Sequence, residues 1–164
     1  MTGSETLFAC PQVELIASRN LALAIWRDAP TIEVLREVSR AGRALAKQQP
    51  NGSGLVNLLV SGTPRFSEDV RAEVVKIARD ATLYPLGIAR VFLVPGLAGV
   101  AVRAFLNTVT LVAGPSSRPL RAFTTLEDAA AWLAPKLEVG GQRWTPAEIL
   151  ALASAHIQTG ETAG

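Results

Sequence analysis

Two short runs, Leu55–Val60 and Ile88–Val94, are apolar nearly throughout, and chain breakers bound both of them. A strand with one wet face alternates apolar and polar residues. A continuous apolar run marks a strand covered on both faces, which is how parallel sheets are built. Pro50-Asn51-Gly52-Ser53-Gly54 precedes the first run and Pro95-Gly96 follows the second. Leu58 and Leu93 are the expected core residues of this strand pair. Leu120–Phe123 is a further short run of the same kind.

Helical spacing fills the gaps between these runs. From Pro30-Thr31-Ile32-Glu33 to about Gln48, Leu35, Val38, Gly42 and Leu45 fall on one face. Glycine inside a helix costs ~1 kcal/mol against alanine, so Gly42 marks a place of close packing. Ser67-Glu68-Asp69 opens the next helix with a capping residue and two first-turn acids. A third helix spans Leu97–Val112, and Thr124-Thr125-Leu126-Glu127 reads as a capping box for a fourth that ends near Leu133. Upstream, Gln12–Ser18 and Asn20–Arg27 read as a hairpin. The resulting order, β-β-α-β-α-β-α-β-α, is that of an α/β fold with a parallel core and helices packed on the sheet. After Gly140-Gly141, Thr145-Pro146-Ala147-Glu148 starts an extra C-terminal helix that ends near Ile157.

At 164 residues and 17.3 kDa the chain suits one main domain with its own core. Apolar residues make up 49% and charged residues 18%, a globular balance. With a single Cys10 and a single His156, a zinc site or a Ser-His-Asp or Cys-His pair lacks its partners. Glu33 with Glu37, Asp69 with Glu73, and Glu127 with Asp128 lie among basic residues or at helix starts, as solvated faces and caps do. No catalytic residue, metal site or cofactor is expected.

The net charge of +2 is spread evenly: residues 1–82 hold 10 basic and 9 acidic side chains, residues 83–164 hold 6 and 5. Without a cationic cluster or aromatic platform, no nucleic-acid partner is expected. The N-terminus lacks the pattern of a signal peptide. The apolar stretch Ile88–Ala113 is broken by Arg90, Arg103, Asn107 and Pro95-Gly96, so no membrane span is expected either. A lone cysteine fits a reducing, cytoplasmic setting.

The element order, together with Ile88-Ala-Arg-Val-Phe-Leu-Val, Ala101-Val-Arg-Ala-Phe-Leu-Asn and Leu120-Arg-Ala-Phe-Thr-Thr-Leu-Glu-Asp-Ala-Ala-Ala-Trp-Leu, resembles bacterial STAS/Sec14-like proteins of the SpoIIAA-like fold. The resemblance covers residues 12–137. Outside it lie an N-terminal segment (1–11), a linker and C-terminal helix (138–157), and a tail (158–164) expected to be disordered. It implies a non-enzymatic regulatory or protein-interaction module. It also implies a switch, in some members, at a Ser or Thr between the third strand and second helix. Where the family motif reads Asp-Ser-Ser-Gly, this chain has Ser61-Gly62-Thr63-Pro64, so Ser61 and Thr63 are candidates by position.

Arg65 and the following helix start make the same loop a candidate anion site. Val94–Gly99 lacks the glycine spacing of a dinucleotide loop and reads as a packing turn. In the Leu97–Val112 helix, Arg103, Asn107 and Thr110 form one narrow polar stripe, and the rest is apolar. Such a helix needs cover from the C-terminal helix, a second copy or an apolar ligand. Arg103, Phe105, Leu106 and Asn107 are therefore a candidate interaction surface. The expected role is binding of a protein partner or self-association as a homodimer; the alternative is a carrier of a small apolar or lipidic ligand in a pocket beside this helix.

Overall fold

The structure, a computed structural model, describes residues 3–63 and 65–159. Six strands form one sheet in chain order: β1 (Glu5–Ala9), β2 (Val13–Ser18), β3 (Leu21–Trp26), β4 (Gly54–Leu59), β5 (Gly87–Phe92) and β6 (Leu120–Phe123). β1, β2 and β3 pair antiparallel, and β3 through β6 pair parallel. The α/β class, the hairpin and the parallel pairing of the two apolar runs are thus present. One strand is new: Glu5–Ala9, in the segment set outside the domain, pairs with β2 and places Phe8 opposite Leu15.

The helices are α1 (Ile32–Gln48), α2 (Glu68–Ala78), α3 (Gly96–Ala113), α4 (Leu126–Leu133) and α5 (Pro146–Thr159), with a 3-10 turn at Ala134–Leu137. Thr31 and Ser67 cap α1 and α2 by accepting from the N–H groups of Val34 and Val70. On α4 the cap lies one residue later than expected. Phe123 is still in the strand, so Thr125 is the extended residue that accepts from the Asp128 N–H. Thr145 and Glu148 cap α5 reciprocally, the Thr145 N–H donating to Glu148 Oε2 at 2.7 Å. Helix α5 continues to Thr159, past the expected end at Ile157; residues 160–164 of the expected tail lie outside the described residues, as does Pro64.

Each crossover from β3 to β6 steps one strand in the same direction. Right-handed connections of that kind put successive helices on one face. Accordingly Leu45 of α1 and Ile77 of α2 pack against Leu15, Ala24, Leu55 and Ile88, and Val102 and Leu106 of α3 pack against Phe92 and Leu59. The opposite face holds Ile16, Leu23, Val56, Leu58, Ala89 and Val91, covered by Leu133, Leu137, Ile149 and Ala153 of α4, the 3-10 turn and α5.

Helix α5 therefore packs on the face opposite α3 and does not cover it, which removes the C-terminal helix from the three covers the sequence left open. Its anchor is the β2–β3 turn. Buried Asn20 donates from Nδ2 to the Leu137 carbonyl (2.9 Å) and accepts at Oδ1 from the Trp144 indole (2.9 Å). The Arg19 guanidinium lies 3.6 Å over the Trp144 ring and pairs with Glu148.

Two local readings have different outcomes. Gly42 is a close approach: a Cβ there would lie 2.9 Å from the Tyr84 hydroxyl and 3.0 Å from Leu83. Leu93 lies beyond the end of β5 and is 38% exposed, so it is not a core residue, whereas Leu58 is fully buried. Leu58→Asp should accordingly lose several kcal/mol by burying an unpaired carboxylate, while Leu93→Asp should melt near the wild type. Asn20→Ala should cost roughly 2–4 kcal/mol, because it strands the Trp144 N–H and the Leu137 carbonyl. Hydrogen exchange should then speed up first in α5.

Candidate functional site

The sheet register aligns Ala24 of β3, Asn57 of β4 and Arg90 of β5 in one row across the face under α1, α2 and α3. The rows on either side are bulky and apolar: Leu55 and Ile88 on one, Trp26, Leu59 and Phe92 on the other. Ala24 is small, and the helices above do not fill the space it leaves. The result is a cavity of about 150 Å³ between the sheet and the helix layer. Leu35 and Val38 of α1, Val74 of α2, and Val102 and Leu106 of α3 line its apolar wall.

Its polar groups are few: Ser39, Tyr84, Arg90 and Arg118 are buried and Asn57 is half-buried. The Trp26 indole donates to Asn57 Oδ1 at 2.8 Å, which fixes the amide in the floor. Arg90 is 8% exposed, and its Nη1 donates to Thr110 Oγ1 at 3.0 Å. The Thr110 hydroxyl in turn donates to the Leu106 carbonyl at 2.9 Å, one turn back on α3. Burial, and secondarily the positive charge of Arg118, lowers the Arg90 pKa to about 10. Arg118 is held differently. Its guanidinium donates to the carbonyls of Ala78, Asp80 and Leu83, tying the loop before β6 to the end of α2. Burial pushes the Tyr84 phenol well above its ordinary pKa, so it stays protonated, and the Ser39 hydroxyl in the wall has no hydrogen-bond partner among the described residues.

Phe66, from the loop before α2, stacks on Phe105 of α3 with ring centroids 3.8 Å apart and planes 3° from parallel. Both rings line the cavity, and both also line a groove outside it between α2 and α3. They form the partition between the two spaces.

The sequence-derived residues divide. In the 61–67 loop the Ser61 hydroxyl donates to the Arg27 carbonyl (2.9 Å), and the Thr63 N–H donates to Asp28 Oδ1 (3.2 Å). Gly62 makes this possible with φ at +134°, where a Cβ would lie 2.9 Å from the Asp28 Cα. Backbone bonds from Ala29 and Thr63 hold the Asp28 carboxyl below its usual pKa. The anion that this loop binds is thus the protein's own carboxylate, and Arg65 stands exposed beside it. On α3, Arg103 and Asn107 face solvent, the guanidinium of Arg103 lying 5.0 Å from the Phe92 ring centroid. Leu106 and Phe105 turn inward to the cavity. The proposed surface is therefore two surfaces.

The outward side of α3 is strongly apolar: Leu97 is 88% exposed, Val100 66% and Leu111 83%. By length and composition α3 is the one helix among the described residues that could cross a membrane, and here it packs through Gly99, Val102, Leu106 and Val109. His156 bridges Glu14 and Ser4. Among the described residues no three His, Cys, Asp or Glu side chains group as a metal site would need.

Sequence reading passed over Arg90, Ser39, Phe66 and Arg118. A signal for Arg90 exists, namely a cation at the centre of a strand otherwise apolar on both faces. No family model matches the chain, and searches of curated proteins and of solved structures find no significant match.

A buried cation without a counter-charge destabilises the fold that holds it. Arg90→Met should therefore be as stable as the wild type, or more stable by ~1–4 kcal/mol, at neutral pH. Because the folded-state pKa lies below the unfolded one, the cost is full below pH about 10 and fades as the folded protein releases the proton. The stability gap between variant and wild type, measured by chemical denaturation, should be flat up to that pH and narrow above it. A variant that is strongly destabilised would make Arg90 a structural anchor.

Proposed function

We propose that this chain is a non-enzymatic binding module of the SpoIIAA-like, STAS/Sec14 type that holds a small apolar ligand in the cavity beside α3. The observation that carries the reading is the cavity itself, about 150 Å³ of space in a wall that is apolar apart from a few polar groups. Sites for small molecules share this mix of apolar wall and sparse polar groups. The element order and the sequence likeness over residues 12–137 support the family assignment. The lone Cys10 supports a cytoplasmic setting.

Toluene titrated into the full chain should shift the methyl resonances of Leu35, Leu55, Val102 and Leu106 together and raise the melting temperature. Ala24→Leu, which grows into the floor, should abolish both effects. If no small apolar compound moves those methyls, the cavity is not a binding site.

A second reading, docking of a protein partner or another copy of the chain, is favoured by the exposed outer side of α3. Leu97→Glu with Leu111→Glu should then reduce self-association in sedimentation experiments and leave toluene binding intact.

A further inference from the structure

Arg90 and Arg118 both line the cavity, and among the described residues no aspartate or glutamate does so. Arg118 is compensated. Three backbone carbonyls accept from it, and the Asp80 carboxylate lies near enough to favour its charged form. Arg90 has no such compensation. Among the described residues its one hydrogen bond is from Nη1 to Thr110, and the charge of Arg118 nearby adds repulsion. The side-on edge of its guanidinium, Nε and Nη2, is left without a protein partner.

A charge buried this far is stable only when paired and hydrogen-bonded. Among the described residues no carboxylate stands at this point of the fold, which leaves that role open to a ligand. The free edge presents two parallel N–H donors, the arrangement that matches a carboxylate bidentately. The volume fixes the rest of the molecule. A cavity of about 150 Å³ holds a body on the scale of benzene, whereas drug-sized ligands need roughly 300–1,000 Å³. A phospholipid or a long acyl chain would not be enclosed by it.

We propose that the cavity takes a small apolar monocarboxylate, aromatic or short-chain, with its carboxylate on the Nε–Nη2 edge of Arg90 and its body against Leu35, Leu55, Val102 and Leu106. This rests on the cavity being a ligand site and adds the charge and size of the ligand. Thr110 is then a positioning residue: its hydroxyl, fixed by donation to the Leu106 carbonyl, holds Nη1 and so orients the free edge.

The test uses the full chain with benzoate, the neutral benzyl alcohol of like shape, and inorganic phosphate, followed by calorimetry and by the four methyl resonances. Benzoate should bind at least about tenfold more tightly than benzyl alcohol, and phosphate, which has no apolar body, should not move the methyls. Arg90→Met should bring benzoate down to the level of benzyl alcohol while benzyl alcohol still binds. Arg90→Lys, which keeps the charge and loses the fork, should fall between the two. Equal binding of benzoate and benzyl alcohol, unchanged in Arg90→Met, would overturn the carboxylate assignment and leave the cavity a site for neutral apolar molecules. Binding of neither would overturn the cavity reading as well. Phosphate competing equally with benzoate would overturn the assignment by showing a surface anion site.

Discussion

Strands β4 and β5 bury both faces, and this requirement organises the rest of the molecule. Because β3 to β6 are laid down in chain order, right-handed crossovers assign α1, α2 and α3 to one side of the sheet. The other side is then bare, and only chain following β6 is free to cover it. Helix α4, the 3-10 turn and α5 do so, closing over Val56, Leu58, Ala89 and Val91. The C-terminal helix is thus part of the core. Asn20 is its hinge point, since it satisfies both the Leu137 carbonyl and the Trp144 indole at the open end of the hairpin.

The two faces of the sheet are packed to different standards. On the α4–α5 side, leucine, isoleucine, valine and alanine fit closely, and many are fully buried. On the α1–α3 side the row Ala24–Asn57–Arg90 brings together a small residue, an amide and a cation where bulky apolar groups would give a tighter core. Such a departure from local packing rules is where binding sites are expected. Thr110 and the Trp26–Asn57 pair limit the departure by fixing the polar groups.

Helix α3 joins this interior to the outside. Its buried stripe is narrow: Gly99, Val102, Leu106 and Val109 face inward, with Phe105 at the edge against Phe66. Apart from Arg103, Asn107, Thr108 and Thr110, the remainder is apolar yet meets solvent at Leu97, Val100 and Leu111. An occupant of the cavity would touch Val102, Phe105 and Leu106, so the helix that lines the cavity also presents the exposed patch. That contiguity links the two proposed readings physically, because displacement of Phe105 would move the Phe66 partition and the α2–α3 groove together.

Periodicity along the chain carried the local structure. Apolar runs marked the doubly covered strands, Thr145-Pro146-Ala147-Glu148 marked a helix start, and Gly42 marked a close contact. All of these depend on neighbours in sequence, so they are legible there. The β1 edge strand was not, because five residues with little alternation acquire their partner only once β2 is in place. Nor was the site. Arg90 stands out as a cation in an apolar strand, but its emptiness of partners is a property of residues far away in sequence. The void above Ala24 exists only when three helices have been laid on one sheet face. Which side of α3 is buried was equally undecided, since a helix apolar nearly all round offers every side to the core. Local spacing and capping fixed the elements through short-range sterics and hydrogen bonds; the cavity, its unpaired charge and the cover of each face were decided by tertiary packing, because they depend on where distant surfaces meet.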